Sequence, residues 1–186
     1  MKGAVFLDRD GVINEEVGLI TKPEELKLIP GSARAISMLN NLSIPVIIVT
    51  NQPVIGRGLC SVEELNKVHE HLFNLLSEHS AHVDGLYYCP HHPVHGVGEY
   101  KLACSCRKPS PGLLFKASKV HNIDLSKSYM VGDRTSDIKA GNLAGCTTIG
   151  VKTGYGCDDG FKDAIPDIVA QNLKHAVGII IERRLK

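Results

Sequence analysis

The chain has 186 residues, of which 43% are hydrophobic and 22% are charged, and its formal net charge is +1. This length is enough for one well-buried domain and short for two, so we expect a single domain over residues 1–186. The near-neutral charge gives no electrostatic reason for a nucleic acid or an anionic membrane to bind. A small molecule is therefore the expected partner, and the chain is expected to be a monomer.

Neither end of the sequence resembles a targeting or membrane segment. The apolar run near the start is too short for a signal peptide, and the one near the end is too short to span a bilayer. We therefore expect a cytoplasmic protein. Because thiols stay reduced in that compartment, the six cysteines argue against a framework of disulfides.

In chain order, short apolar runs rich in β-branched residues alternate with helical patterns. The apolar runs predict strands at residues 3–8, 45–51, 85–89, 128–133, 146–151 and 167–170. The periodic segments predict helices at residues 31–42, 61–79, 111–121, 134–145 and 172–185. This alternation predicts an α/β fold: a three-layer, doubly wound parallel sheet with helices on both faces and a ligand crevice at the carboxyl ends of the strands.

Two of the predicted helices carry additional sequence signals. The first has apolar residues at three-residue spacing, namely Ala33, Ile36, Leu39 and Leu42. The second opens with Ser61 and Glu64 in the positions of a capping box. These patterns indicate one buried face on each helix.

Polar residues lie at the ends of three predicted strands and before one predicted helix, at the same edge of the sheet. They are Asp8 and Asp10, Thr50 and Asn51, Lys108, and Asp133 and Asp137. Each of them singly could be a helix cap, a turn former or a solvated charge. Together, at one crevice, the carboxylates would repel one another unless a cation lay between them. Mg²⁺ prefers oxygen ligands and keeps waters that a substrate phosphate can replace, so it suits this cluster.

The same residues fit the chemistry of phosphoryl transfer. Asp8 can attack phosphorus to form an aspartyl-phosphate, and Asp10 can act first as general acid and then as general base. Thr50 and Asn51 supply hydrogen-bond donors, and Lys108 supplies a positive charge, for the oxygens of the transferring group.

The segments "DRDGV", "TN", "RKP" and "GDRTSD" resemble, in this order, the four motifs of the haloacid dehalogenase (HAD) superfamily of phosphatases. The resemblance implies that Asp8 is the nucleophile and a Mg²⁺ ligand and that Asp133 is another ligand. It implies that Asp10 is the acid/base residue, with its backbone carbonyl on the metal. Thr50 and Lys108 would then stabilise the phosphoryl group, and Asp137 would hold a metal-bound water.

A second cluster combines cysteine and histidine. Cys89 and His91 are separated by one residue, as are Cys104 and Cys106, and twelve residues lie between the two pairs. Four nitrogen and sulfur ligands are what a tetrahedral structural Zn²⁺ site requires. A strained disulfide between Cys104 and Cys106, or loop cysteines that hold no metal, are the alternatives. His92 or His95 could also replace His91 as a ligand.

Within the superfamily, this insertion resembles the one in the D-glycero-D-manno-heptose 1,7-bisphosphate phosphatases and the related histidinol-phosphate phosphatases. The resemblance implies a zinc-ordered loop at about residues 89–106 in place of a separate cap domain. It also implies contacts with a phosphorylated sugar from Glu16, Val17, Gly18, Leu19, Thr50, Asn51, Gln52, Pro53, Arg107, Lys108 and Arg134. One departure is that the usual Ser-Gly after Asn51 and Gln52 is Pro53-Val54 here, and proline removes a backbone N–H.

The function predicted from the sequence is a Mg²⁺-dependent removal of the 7-phosphate of a heptose 1,7-bisphosphate. Histidinol phosphate is the nearest alternative substrate, since both subgroups share the catalytic residues and the zinc loop. Arg107 and Arg134 favour a substrate with a second phosphate. A catalytically silent, zinc-stabilised binding module and a polynucleotide phosphatase are further alternatives, and 5% aromatic residues disfavour the second of these.

Overall fold

The computed structural model describes residues 1–160 and 164–184. Its centre is a parallel sheet of six strands in the order β3-β2-β1-β4-β5-β6. The strands are β1 (Val5–Leu7), β2 (Val46–Asn51), β3 (Gly85–Cys89), β4 (Tyr129–Gly132), β5 (Thr147–Val151) and β6 (Ile168–Ala170). Every predicted strand is present, most of them one to three residues shorter than the apolar run that predicted it.

The described residues form five α-helices: α1 (Ser32–Asn41), α2 (Val62–Ser77), α3 (Gly112–His121), α4 (Thr135–Ala144) and α5 (Leu173–Arg184). The first four connect successive strands from β1 to β5, and α5 follows β6. Each agrees with its predicted segment to within a residue or two. Leu185, the predicted end of the last helix, lies outside the described residues. Within the described ranges no helix combines the length and the apolar character that crossing a membrane requires.

The sheet separates two apolar cores, and strand periodicity explains why. Successive side chains of a strand point to opposite faces, so Val5 and Leu7 pack with α1, α2 and α5, whereas Phe6 packs with α3 and α4. Both faces of the sheet are thereby covered, which is why the strands are continuously apolar. The predicted three-layer α/β class is confirmed.

The ends of the first two helices show one correct and one wrong sequence prediction. The Ser61 hydroxyl accepts the Glu64 N–H, and the Glu64 carboxylate accepts the Ser61 N–H, so the predicted capping box is formed. Leu42 was expected on the buried face of the first helix, but it is the residue after α1 and is 49% exposed. The chain turns at Ser43, which lifts Leu42 out of the helical repeat.

The position of β1 in the sheet determines where a ligand can bind. The chain leaves β1 for β2 on one side, and β4 lies on the other, so the strand order reverses beside β1. In such sheets the crevice opens at this point, at the carboxyl ends of the strands. Asp8 follows β1 directly, and its N–H donates to the carbonyl of Val131 in β4.

Candidate active site

Lys108 lies at the centre of a buried charge network below the crevice. Its Nζ is 2.9 Å from Asp8 Oδ1 and 2.7 Å from Asp137 Oδ1, and it donates to the Val49 carbonyl at 2.8 Å. The residue is only 2% exposed. Burial alone would lower the pKa of Lys108, but the charges of Asp137 and Asp8 outweigh it and raise the pKa. The ammonium group is therefore fixed in its charged form beside Asp8.

Three carboxylates converge at this point. Asp8, Asp133 and Asp137 each offer an oxygen, and these oxygens lie within 4.8 Å of one another. Burial, reinforced by the charges of Asp8 and Asp137, raises the pKa of Asp133 to about 8. Burial and the Asp8 charge likewise raise the pKa of Asp137, to about 6. A single lysine does not balance three carboxylates, so the cluster favours an additional cation.

The surroundings of Asp133 fit a metal ligand. Its Oδ2 accepts the Tyr155 N–H at 2.8 Å, whereas its buried Oδ1 has no hydrogen-bond partner in the part of the chain that the structure describes. Gly11 and Gly154, both with positive φ, flank the carboxylate so closely that a Cβ on either would collide with Oδ2. One oxygen is thus locked and the other is left for a cation. An oxygen-only set of this kind suits Mg²⁺, and the residues present therefore fit the predicted metal.

The carboxylate of Asp10 has separate partners. It accepts hydrogen bonds from Arg9, from Asn14 Nδ2 at 2.8 Å and from Gln52 Nε2 at 2.8 Å. Burial acts to raise the pKa of Asp10, but the charge of Arg9 and these hydrogen bonds outweigh it and lower the pKa. Asp10 is therefore ionised in the free protein, while it still lines the cavity beside Asp8.

The side chains at the end of β2 form hydrogen bonds mainly with other groups of the protein. Gln52 Nε2 joins Asp10 to the Thr50 hydroxyl, at 2.8 Å and 3.0 Å. The Asn51 side chain pairs with the backbone of Lys108 in both directions, each hydrogen bond being 3.0 Å. Asn51 thus fixes the segment that carries the lysine, a role that the sequence did not predict.

A cavity of about 710 Å³ opens above these groups. Most of the residues predicted from the sequence line it: Asp8, Asp10, Glu16, Gly18, Leu19, Thr50, Asn51, Pro53, Arg107, Lys108, Arg134 and Asp137. Three other predicted residues have different positions. Val17 is 56% exposed on the neighbouring loop, and Gln52 and Asp133 are buried under the floor.

The cavity also contains residues that sequence reasoning missed, including Arg57, His92, Tyr155 and Asp159. Tyr155 could have been found, because Thr153, Gly154 and Tyr155 follow β5 as the other site residues follow their strands. Its ring supports Arg134, whose guanidinium carbon lies 3.6 Å from the ring centroid. His92 was marked by the cysteine-histidine cluster, but only as a possible metal ligand. No comparable signal marks Arg57, which reaches the cavity from a loop.

The predicted zinc ligands come together beside this cavity. The three sulfur atoms of Cys89, Cys104 and Cys106 are 3.1–3.4 Å apart, and His91 Nδ1 is 3.7 Å from Cys89 and 3.4 Å from Cys106. Sulfur ligands of one tetrahedral zinc lie roughly 3.8 Å apart, whereas a disulfide needs about 2.05 Å. The four ligand atoms thus lie close enough together to hold one metal ion, and no disulfide joins Cys104 and Cys106 in the structure. Three thiolates and one imidazole are a ligand set that suits Zn²⁺.

The alternative histidine ligands have other positions. His92 Nδ1 accepts the N–H groups of Val94 and His95, at 3.2 Å and 3.0 Å, and its ring faces the cavity. Among the cysteine and histidine ligands proposed from the sequence, the structure therefore selects His91.

Comparisons with known proteins place this arrangement in a family. A family model for HAD-hydrolase-like proteins matches residues 105–176. The D-glycero-beta-D-manno-heptose-1,7-bisphosphate 7-phosphatase of Vibrio cholerae is 42% identical over 154 residues, which cover 82% of this chain and 83% of that protein. The D-glycero-D-manno-heptose-1,7-bisphosphate 7-phosphatase of Thermosynechococcus vestitus is 40% identical over 94% of this chain and 93% of its own length.

This chain belongs to the heptose-1,7-bisphosphate 7-phosphatase family.

A solved structure of the same family supports this assignment. It is the D,D-heptose 1,7-bisphosphate phosphatase of B. bronchiseptica, complexed with magnesium and phosphate. Its TM-score is 0.85 and its sequence identity is 31%, and the match covers 98% of this chain and 99% of that one. The resemblance drawn from the four motifs and the cysteine-histidine insertion is therefore confirmed at the level of the heptose-bisphosphate phosphatase family.

Proposed function

We propose that the chain removes the 7-phosphate of D-glycero-D-manno-heptose 1,7-bisphosphate by way of an aspartyl-phosphate on Asp8. The observation that carries the proposal is the network in which Lys108 bridges Asp8 and Asp137 at the floor of a cavity whose walls hold arginines. The relatives named for this reaction share about two fifths of the sequence over most of their length.

In the first step, a carboxylate oxygen of Asp8 attacks phosphorus, and the bond between phosphorus and the C7 oxygen breaks. Asp10 gives its proton to the departing oxygen. Asp10 is ionised in the free protein, so it must first gain a proton. A phosphate dianion bound beside it would raise its pKa in the required direction, because like charges disfavour ionisation.

In the second step, Asp10 takes a proton from a water molecule, and the water oxygen attacks phosphorus. The bond between phosphorus and Asp8 then breaks, which releases inorganic phosphate and restores the Asp8 carboxylate. Lys108 and the Thr50 hydroxyl stabilise the phosphoryl oxygens in both steps.

We assign the catalytic Mg²⁺ to Asp8, Asp133 and the backbone carbonyl of Asp10, with Asp137 beside it. When bound, the ion neutralises charge on the phosphoryl oxygens and on the converging carboxylates. The free Oδ1 of Asp133 supports this assignment.

We assign Zn²⁺ to Cys89, His91, Cys104 and Cys106, as a structural ion that orders the loop of residues 89–106. In a single domain, this loop would cover the site in place of a cap. We propose that the chain acts as a monomer, because Asp8, Thr50, Lys108 and Asp133 already come together within it. We propose a cytoplasmic location, because zinc ligation by Cys89, Cys104 and Cys106 requires reduced thiols.

The test is phosphate release by the purified protein from both anomers of heptose 1,7-bisphosphate and from histidinol phosphate, with Mg²⁺ present. Turnover of the bisphosphate should exceed that of histidinol phosphate at least tenfold. Asp8→Asn should abolish turnover, by about 10³-fold or more, and leave the far-UV CD spectrum and Tm nearly unchanged, because the two side chains have the same shape.

Two results would contradict the proposal. Faster turnover of histidinol phosphate would show that the substrate is wrong. Substantial activity of Asp8→Asn would exclude the aspartyl-phosphate mechanism. Asp124→Asn is the matched control, since Asp124 lies in a turn before β4 and outside the cavity lining, and it should keep full activity.

A further inference from the structure

Arg57 and Arg107 are two cations that the protein leaves without a carboxylate. Both line the cavity, and neither forms an ion pair within residues 1–160 and 164–184. Among the described residues, none forms a hydrogen bond with the buried Nε of Arg57. Arg107 donates only to the backbone carbonyl of His91, at 3.0 Å. Such groups cost free energy unless a ligand supplies the missing acceptors.

The loop that carries Arg57 rests on the zinc loop. The Gly56 carbonyl accepts the Val97 N–H at 2.7 Å, and a Cβ on Gly56 would collide with the Pro90 carbonyl. Only glycine permits this close approach. Arg57 follows directly, just as Arg107 follows the zinc ligand Cys106. Both arginines are therefore positioned by the same loop, although they are fifty residues apart in the sequence.

Arg134, the third arginine of the cavity, is in a different situation. Its guanidinium group lies on the Tyr155 ring and 3.7 Å from the Glu16 carboxylate. Its charge is thus partly compensated within the protein, and it needs no further anion. Lys108 is likewise neutralised by Asp8 and Asp137. Among the arginines that line the cavity, Arg57 and Arg107 are therefore the two without a carboxylate partner in the described residues.

We propose that Arg57 is a specificity-determining residue, which together with Arg107 binds the phosphate group of the substrate that is not cleaved. The inference rests on the proposed function and adds to it a residue that the sequence motifs did not single out. A phosphate monoester carries close to two negative charges at neutral pH, which two guanidinium groups match. Their planar donors also bind phosphate oxygens in pairs.

The experiment compares heptose 1,7-bisphosphate with heptose 7-phosphate, which has the same scissile ester and lacks the second phosphate. Arg57→Ala should lower kcat/KM for the bisphosphate about 10- to 100-fold and leave kcat/KM for the monophosphate within about twofold. Most of the loss should appear in KM, because the contact is made equally in the ground and transition states. Arg57→Lys should recover part of the loss.

Two variants serve as comparisons. Arg34→Ala, on the exposed side of α1, should leave both substrates unaffected. Arg134→Ala should leave the ratio of kcat/KM for the two substrates unchanged, since Arg134 is already paired with Glu16 and Tyr155 in the protein. If Arg57→Ala lowers kcat/KM for both substrates equally, or for neither, the inference is wrong while the proposed function stands. If the wild-type protein itself does not prefer the bisphosphate to heptose 7-phosphate, the second phosphate is not recognised and the inference is wrong. The proposed function is tested separately, by the comparison with histidinol phosphate.

Discussion

At the scale of single residues, the site is built on polar groups that the protein buries completely. Arg9 is fully buried, and its guanidinium binds the Asp10 carboxylate through Nε at 3.1 Å and Nη2 at 2.8 Å. These two hydrogen bonds fix the position of the acid/base residue. Removing either partner would leave the other as an unpaired buried charge, which is strongly destabilising. His69, in α2, is another buried polar residue and has no hydrogen-bond partner on Nε2.

His69 gives a prediction for stability against pH. Burial, followed by the positive charge of Arg9, lowers the pKa of His69 to about 4 from 6.5. Between pH 6.5 and 4, His69 is therefore protonated in the unfolded chain but stays neutral in the folded protein. The stability associated with neutral His69 is complete above pH 6.5 and is lost as the pH falls towards 4. The loss is on the order of 3 kcal/mol.

His69→Leu should reduce this acid destabilisation, which is measured as the free energy of unfolding in urea between pH 7 and pH 4. His79→Leu is the control, because His79 is exposed after the end of α2. It should leave the pH profile as in the wild type. An unchanged profile for His69→Leu would show that other groups cause the acid sensitivity.

At the scale of elements, short side-chain bridges tie separate segments together. The Asn51 amide joins the end of β2 to Lys108, ahead of α3, and Asn40 at the end of α1 makes the same two-way bridge to the backbone of His82. The first bridge lies in the site and is partly buried, while the second is exposed. Their common geometry makes them a matched pair for experiment.

Asn51→Ala should lower both stability and activity. Two partly buried hydrogen bonds are lost, which costs about 1–3 kcal/mol, and the segment that carries Lys108 loses its fixed position. We expect kcat to fall at least tenfold, with a smaller change in KM. Asn40→Ala should cost less stability, since water can replace the exposed bonds, and should leave kcat unchanged. Equal kcat values for the two variants would show that Asn51 does not position Lys108.

At the scale of the whole molecule, the sequence predicts the strands and helices, whose apolar residues recur at regular spacing. It does not predict contacts between loops that are distant in the sequence. The strands and helices follow from apolar periodicity, and the carboxyl ends of parallel strands meet at one edge. Asp8, Thr50, Lys108 and Asp133 could therefore be grouped without a structure. Arg57 could not, because its place depends on the contact of Gly56 with the zinc loop, which no local pattern records.

The zinc cluster connects the fold to the chemistry. Cys89 ends β3 and is fully buried, whereas Cys106 immediately precedes Arg107 and Lys108. Lys108 is held independently, by Asn51, Asp8 and Asp137. Arg107 and the loop that carries Arg57 depend on the zinc loop. Loss of the metal should therefore disturb recognition of the second phosphate more than phosphoryl transfer itself.

Removal of zinc tests this separation. In a protein shown by metal analysis to be free of zinc and loaded with Mg²⁺, kcat/KM for the bisphosphate should fall at least tenfold. Hydrolysis of p-nitrophenyl phosphate, which has no second phosphate, should fall much less. Readdition of Zn²⁺ should restore the wild-type ratio, and the effect of Arg57→Ala should be small in the zinc-free protein because both changes remove the same contact. Full activity on the bisphosphate without zinc would show that the zinc loop positions neither arginine. Equal losses on both substrates would show that zinc acts through the position of Lys108 instead.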